Sequence, residues 1–245
     1  METIFQKDIY IGMMACDNTS HLSIHGAFGL FMDLATEHAE GLGIGTKLTR
    51  EQAIFWVTAR TRVHLYHRPA MDELLQGETF MGPPRGPKAA RYYRLMKDGE
   101  LLAEAKTDFV ATNIRTHQLV KVTDFFPQQE EITRSLADQA LPLPEAAPRI
   151  SPDFSEGEEK GTYTVRSTDI DLGGHMNNVA YLRAIMGLFS CREIEDMAWS
   201  DIDIAYRKPC FEGEVLTARV RRSEEATELG LFKSTGEAAV LVRLT

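Results

Sequence analysis

The chain is 245 residues long, 43% hydrophobic and 26% charged, with a formal net charge of −9. That composition excludes a disordered or collagen-like chain, and no apolar run reaches the roughly 18 residues of a membrane span. The acidic balance argues against nucleic acid as a partner, and the N-terminus METIFQKDIY carries neither a signal nor a transit pattern, which reads as a cytoplasmic protein.

In chain order, the first predicted element is a helix. Apolar residues at 27, 28, 30, 31, 34, 35 and 39 keep helical spacing, and Gly41 and Gly43 supply a stop. A strand follows, with Val57, Ala59, Thr61, Val63 and Leu65 on one face. It runs into Tyr66-His-Arg-Pro-Ala, where a proline without an N–H ends ladder pairing. Gln76–Met81, Ala90–Lys97 and Leu101–Thr112 read as further antiparallel strands, the last two joined by a hairpin turn at Asp98-Gly99.

The stretch 127–160 breaks the pattern. Pro127, Pro142, Pro144, Pro148, Pro152 and many acids favour an extended connector, with a short helix near Glu130–Gln139. The order then repeats. Asn177 and Asn178 cap an apolar helical run from Val179 to Phe189, and Ile202, Ile204 and Tyr206 alternate into Tyr206-Arg-Lys-Pro-Cys. Glu214–Arg222, Gly230–Ser234 and Ala238–Leu244 complete a second set of strands. Helix then strands, twice, predicts a duplicated α+β chain: 1–126, a connector at 127–160, and 161–245. Cys16, Cys191 and Cys210 lie far apart and read as small buried hydrophobes, with no disulfide framework or metal spacing.

The densest polar cluster is Thr168-Asp-Ile-Asp-Leu-Gly-Gly-His-Met-Asn-Asn-Val-Ala-Tyr181, just before the second helix. Two glycines let the backbone turn tightly and approach a ligand. The helix N-terminus, at Gly174, Asn177 and Asn178, offers N–H groups and a positive dipole end to an acyl oxygen gaining charge. Asp171 suits a base acting on water or a nucleophile attacking a carbonyl, and His175 can orient a water or pass a proton. Spacing leaves equally open a capped loop in which these side chains only satisfy backbone groups. A G-x-S-x-G elbow, H-E-x-x-H and a phosphate loop are all missing from the sequence, which leaves serine hydrolases, zinc proteases and P-loop enzymes poorly supported.

Asp169-Ile-Asp-Leu-Gly-Gly-His-Met-Asn-Asn-Val-Ala-Tyr181 resembles the D-x-D-x-N-x-H-x-N-N-x-x-Y motif of the plant and bacterial acyl-ACP thioesterases. Trp56-Val-Thr-Ala-Arg60, with His67-Arg-Pro and Asp72, resembles that family's W-V-x-x-R segment and R-Y-P-x-x-x-D turn. Tyr206-Arg-Lys-Pro-Cys210 resembles its Y-R-x-E-C. The resemblance implies a tandem (double) hotdog fold, two antiparallel sheets each wrapped around a long helix. It also implies hydrolysis of the thioester of fatty acyl carrier protein, ending chain elongation, with no metal or organic cofactor.

The resemblance maps the family's carboxylate onto Asp171, its histidine onto His175, and a cysteine once proposed as nucleophile onto Cys210. Two positions depart: Gly173 stands where the family usually has a catalytic Asn, and Pro209 where plant members have a Glu. One carboxylate, one histidine and a helix N-terminus survive. The first half, with no equivalent acid–glycine–histidine loop, is expected to shape the acyl pocket. Phe28, Phe31, Met32, Leu34 and Trp56 are its candidates, and core packing would explain each of them singly. Glu37 and His38 read as the polar side of the first helix.

The implied partner, acyl carrier protein, is small and acidic, so a local basic patch is expected on an acidic enzyme. Residues 50–121 carry a net +4 and residues 122–160 a net −6. Arg60, Arg62, Arg68, Arg85, Lys88, Arg91, Arg94, Arg207 and Lys208 are the candidates. Two alternatives stay open: an acyl-CoA thioesterase, which uses the same loop, and a non-catalytic acyl- or carrier-protein-binding module, which Gly173 and Pro209 keep alive. Chain-length preference is not readable, and a monomer and a homodimer are equally open.

Overall fold

The computed structural model describes residues 3–134, 136, 143, 149–196 and 199–245. The chain divides into two compact units, Met1–Glu145 and Ala146–Thr245.

In the first unit, β1 (Phe5–Tyr10) leads through a 3-10 turn (Met13–Ala15) into α1 (Ile24–Gly41) and α2 (Thr46–Gln52). Then come β2 (Ile54–Leu65), β3 (Leu74–Met81), β4 (Lys88–Lys97) and β5 (Glu100–Asn113). Two short helices follow, α3 (Val122–Phe125) and α4 (Gln129–Arg134). The sheet is antiparallel in the order β1-β3-β4-β5-β2. Alternation defines its buried face, as Ala89, Arg91, Tyr93 and Leu95 show on β4. Onto this sheet α1 lays Ile24, Ala27, Phe28, Phe31, Leu34 and Ala35, with the Phe31 ring 5.1 Å from Tyr93. Asp98 and Gly99 take φ of +51° and +83°, as a tight type I′ hairpin requires.

The β2 strand departs from simple alternation. A bulge between Thr58 and Arg60 resets the register, so Thr58 is buried together with Thr61, Val63 and Leu65, while Val57 is exposed.

In the second unit, β6 (Glu158–Thr164) leads through a 3-10 turn (Ser167–Asp169) into α5 (Asn178–Met186) and α6 (Cys191–Asp196). The strands β7 (Asp201–Tyr206), β8 (Val215–Arg222), β9 (Thr227–Phe232) and β10 (Ala238–Leu244) complete it. Its sheet is antiparallel in the order β7-β10-β9-β8-β6. Here α5 packs on β9 and buries Tyr181, Leu182 and Ile185. Each unit is thus a helix laid on an antiparallel sheet, the hotdog arrangement given twice. The second helix is half as long as the first, 9 residues against 18, because it caps at Gly187 short of the predicted Phe189.

Each unit also opens with a strand, β1 or β6, that the sequence pattern does not announce. Both ends of the stretch 127–160 are built into the units. Ile132 packs with Leu42, Ile44, Ile54 and Phe126, and Gln129 Nε2 donates to the Gly82 carbonyl at 2.7 Å. Ile150 and Phe154 pack with Phe232, Ala238 and Leu241. The helix expected near Glu130–Gln139 is present at its start as α4, and its remainder lies mostly outside the described residues. Of the cysteines, Cys210 is buried as expected, Cys16 is half-buried, and Cys191 is exposed at the start of α6, against expectation.

Candidate active site

The loop before α5 is a small hairpin. Ile170 and Met176 form a bridge, the Asp171 N–H donates to the His175 carbonyl at 3.0 Å, and the Gly174 N–H donates to the Asp171 carbonyl at 3.0 Å. Gly174 closes the turn with φ of +76°, which glycine adopts at little cost. Asp171 Oδ1 accepts the Gly173 N–H at 2.7 Å. The His175 Nδ1 lies 3.8 Å from the same oxygen, beyond a hydrogen bond, and both side chains are about a quarter exposed, 25% for His175 and 23% for Asp171. Gly173 sits between them. A Cβ there would lie 2.9 Å from His175 Nε2 and 3.0 Å from Asp171 Oδ1. A side chain at this position would contact both groups. The other acid, Asp169, is spent on structure: its carboxylate accepts from the Tyr163 hydroxyl and the Arg166 N–H, each at 2.8 Å.

Asn177 caps α5, its side chain accepting the Val179 N–H at 2.8 Å. Most of the amides expected to meet an acyl oxygen are already used. The Gly174 N–H is in the turn, the Met176 N–H donates to the Cys210 carbonyl, and the Asn177 N–H donates to the Asp169 carbonyl. The Gly174 and Asn177 amides are therefore committed to the loop, and the first turn of α5, from Asn178 on, carries the positive end of the helix dipole.

Cys210 is fully buried, and burial pushes its thiol pKa up, the reverse of what a nucleophile needs. Its backbone does the visible work. The carbonyl accepts from Met176, and the N–H donates to the Tyr181 hydroxyl at 3.1 Å. Tyr206 lies against Tyr181 and donates to the Asn178 carbonyl at 3.2 Å. These two tyrosines clamp the loop and the helix start to the end of β7.

The first unit contains a second copy of this loop. Cys16 and Leu22 form the bridge, the Asp17 N–H donates to the His21 carbonyl at 2.9 Å, and the Ser20 N–H donates to the Asp17 carbonyl at 3.1 Å. Ser20 takes φ of +60° where Gly174 takes +76°. Asp17 Oδ1 accepts the Thr19 N–H at 2.9 Å, and Ser23 caps α1. The expectation that the first half lacks such a loop is therefore corrected: Ser20 does the work of the second glycine. The environments differ. Thr19 stands at the place of Gly173, and its hydroxyl donates to Asp17 Oδ1 at 2.6 Å. The Arg68 guanidinium grips Asp17 Oδ2 and also donates to the Leu22 carbonyl at 3.0 Å. Burial alone would raise the Asp17 carboxyl, but the Thr19 hydroxyl and amide and the Arg68 guanidinium outweigh it and hold its pKa below the usual range.

The remaining candidates fall elsewhere. Phe28 and Phe31 are fully buried on α1, and Met32 is half-buried beside them. Trp56 donates its indole N–H to the Ile44 carbonyl at 3.1 Å and meets Phe125 edge-on, so it braces the core around Ile44 and Phe126. His38, expected on the polar side of its helix, is buried and accepts from Arg91 at 2.8 Å. Glu37 is exposed and pairs with Lys7. The basic patch thins out: Arg62 and Arg91 are buried, Arg94 lies 3.7 Å from Glu78, Arg68 holds Asp17, and Lys208 lies 3.0 Å from Glu237. Arg60 is half-buried, while Arg85, Lys88 and Arg207 are exposed.

Against known families, residues 2–129 match the acyl-ACP thioesterase N-terminal domain and residues 154–243 the acyl-ACP thioesterase C-terminal domain. The chain belongs to the acyl-ACP thioesterase family. Its relatives include the oleoyl-acyl carrier protein thioesterase 1 of Arabidopsis thaliana, 24% identical over 80% of this chain and 58% of that protein. The dodecanoyl-[acyl-carrier-protein] hydrolase of Cinnamomum camphora is 27% identical over 93% of this chain and 62% of its own length. The chain thus spans about three fifths of these curated relatives. Two solved acyl-ACP thioesterase structures share the fold. The 12:0-ACP thioesterase of Umbellularia californica has a TM-score of 0.85 at 21% identity, covering 100% of this chain and 97% of that one. The acyl-ACP thioesterase of Bacteroides thetaiotaomicron has a TM-score of 0.82 at 19% identity, covering 99% and 97%. No described helix of this family member is long and apolar enough to cross a membrane.

Proposed function

We propose that the chain hydrolyses the thioester of fatty acyl carrier protein and releases free fatty acid, ending chain elongation in fatty acid biosynthesis. The observation that carries this is the Asp171 carboxylate. It stands before the positive end of α5, among the described residues no lysine or arginine pairs with it and the His175 ring lies 3.8 Å away, and it does so in a chain of the acyl-ACP thioesterase family.

Asp171 takes a proton from water as that water's oxygen adds to the thioester carbonyl carbon. His175 orients the water. The dipole of α5 favours the negative charge that forms on the carbonyl oxygen. The carbon–sulfur bond then breaks, and the phosphopantetheine thiolate leaves with the proton returned by Asp171. Cys210 takes no covalent part.

The test is thiol release from a panel of acyl-ACPs and matched acyl-CoAs. Asp171→Asn should lower turnover on acyl-ACP by about 100-fold or more with the fold intact, the range of a lost general base. Near-full activity in that variant would remove Asp171 from the chemistry. Release from acyl-CoA alone would move the substrate to the coenzyme thioester.

A further inference from the structure

The two Asp–His loops share one more element, the corner after the strand that pairs with each loop. In the first unit Tyr66 and His67 donate to the Leu102 carbonyl, and Pro69 supplies the carbonyl that accepts the Leu22 N–H at 2.8 Å. In the second unit Arg207 and Lys208 donate to the Ala239 carbonyl, and Cys210 supplies the carbonyl that accepts the Met176 N–H at 2.8 Å. The corners continue alike: the Ala70 N–H donates to Glu73 Oε2 and the Phe211 N–H to Glu214 Oε2, each at 3.1 Å. Tyr66 thus corresponds to Arg207 and Pro69 to Cys210. Of the two residues between, His67 corresponds to Lys208 and Arg68 has Pro209 as its counterpart.

We propose that this one position decides which duplicated loop presents an available carboxylate: Arg68 captures Asp17 in the first unit, and Pro209 leaves Asp171 open in the second. The guanidinium of Arg68 reaches both the aspartate and the carbonyl of the residue after the histidine, which holds the loop closed on itself. Proline has no donor and no reach, and among the described residues Asp171 has no cation within ion-pairing distance other than the His175 ring. Lys208, the neighbouring cation, is drawn off to Glu237 at 3.0 Å, and Lys233 to Glu214 at 3.2 Å and the Pro209 carbonyl at 2.8 Å. An arginine side chain at position 209 would start from a corner whose flanking hydrogen bonds match those around Arg68, and would be placed to find Asp171 and the Met176 carbonyl where Arg68 finds Asp17 and the Leu22 carbonyl.

The inference rests on Asp171 as the working carboxylate, and the experiment separates the two. Pro209→Arg and Pro209→Gln are compared for acyl-ACP turnover, and the Asp171 carboxyl is followed by carbon NMR titration in each. Capture predicts that Pro209→Arg loses about 100-fold in kcat with KM little changed, while Pro209→Gln, of similar bulk without the cation, keeps most of its turnover. It predicts a lowered Asp171 titration midpoint in Pro209→Arg alone. Arg68→Gln should raise the Asp17 midpoint and leave turnover as it was. Equal losses in the arginine and glutamine variants, or an Asp171 midpoint unmoved by arginine, would overturn the proposal. Should Asp171→Asn keep its activity, the catalytic reading fails, and the titration still decides whether position 209 controls the carboxylate.

Discussion

Burial decides what Cys210 does. The thiol is enclosed in the second unit, while its peptide groups hold Met176 and Tyr181. Cys210→Ala should therefore keep turnover within about threefold and lower Tm by a few degrees through the small cavity it leaves. A loss of about 100-fold in thiol release, with Tm unchanged, would return the thiol to the mechanism. Asp171 and His175 were legible because they sit a few residues apart, just before a capped helix. The features that distinguish this loop from its twin were not. Arg68 and Asp17 meet across 51 residues of sequence, and the Tyr181–Cys210 bond spans 29. Spacing along the chain carries no trace of either. Gly173 did show in the sequence as a departure from the family, but only the structure shows that a side chain there would stand within 3.0 Å of both Asp171 and His175.

At the scale of elements, the duplication was readable in order but not in register. Tyr66-His-Arg-Pro aligns by letter with Tyr206-Arg-Lys-Pro, yet the hydrogen bonds place Tyr66 opposite Arg207, one residue on. The matching prolines therefore occupy different positions, which hid the Arg68–Pro209 contrast. The strands β1 and β6 were missed for a simpler reason: each has little alternation to show, with Ile9 the one buried residue of β1 and none fully buried in β6. The start of α1 makes a testable contrast between the two copies. Ser23 caps the helix, accepting the Gly26 N–H and donating to the Ala15 carbonyl, so the 3-10 turn is drawn against the first helical turn. A Cβ on Gly26 would lie 2.0 Å from the Ala15 carbonyl oxygen, which is backbone and cannot swing aside. Gly26→Ala should cost about 1–3 kcal/mol in denaturant unfolding despite the better helix propensity of alanine. A stabilised variant would mean that the turn and the helix separate freely.

Charge belongs to the whole molecule. If the substrate is carried on an acidic carrier protein, as proposed, a chain at −9 repels it at long range, and productive encounter needs cations that stand clear of their own carboxylates. Composition suggested a broad patch in the first half, but most of those side chains are buried or already paired. Lys88, exposed at the start of β4, is a candidate that survives, with Arg207 exposed in the second unit. If Lys88 helps to gather the carrier, Lys88→Glu should raise KM for acyl-ACP about fivefold or more and leave a short acyl-pantetheine substrate unaffected, because only the protein part of the substrate senses the surface. Added salt should weaken the wild-type acyl-ACP reaction and do so less in the variant, since screening removes what the mutation has already removed. Equal effects on both substrates would place the change at the chemistry or the fold, and the carrier would then have to be held by groups other than this lysine.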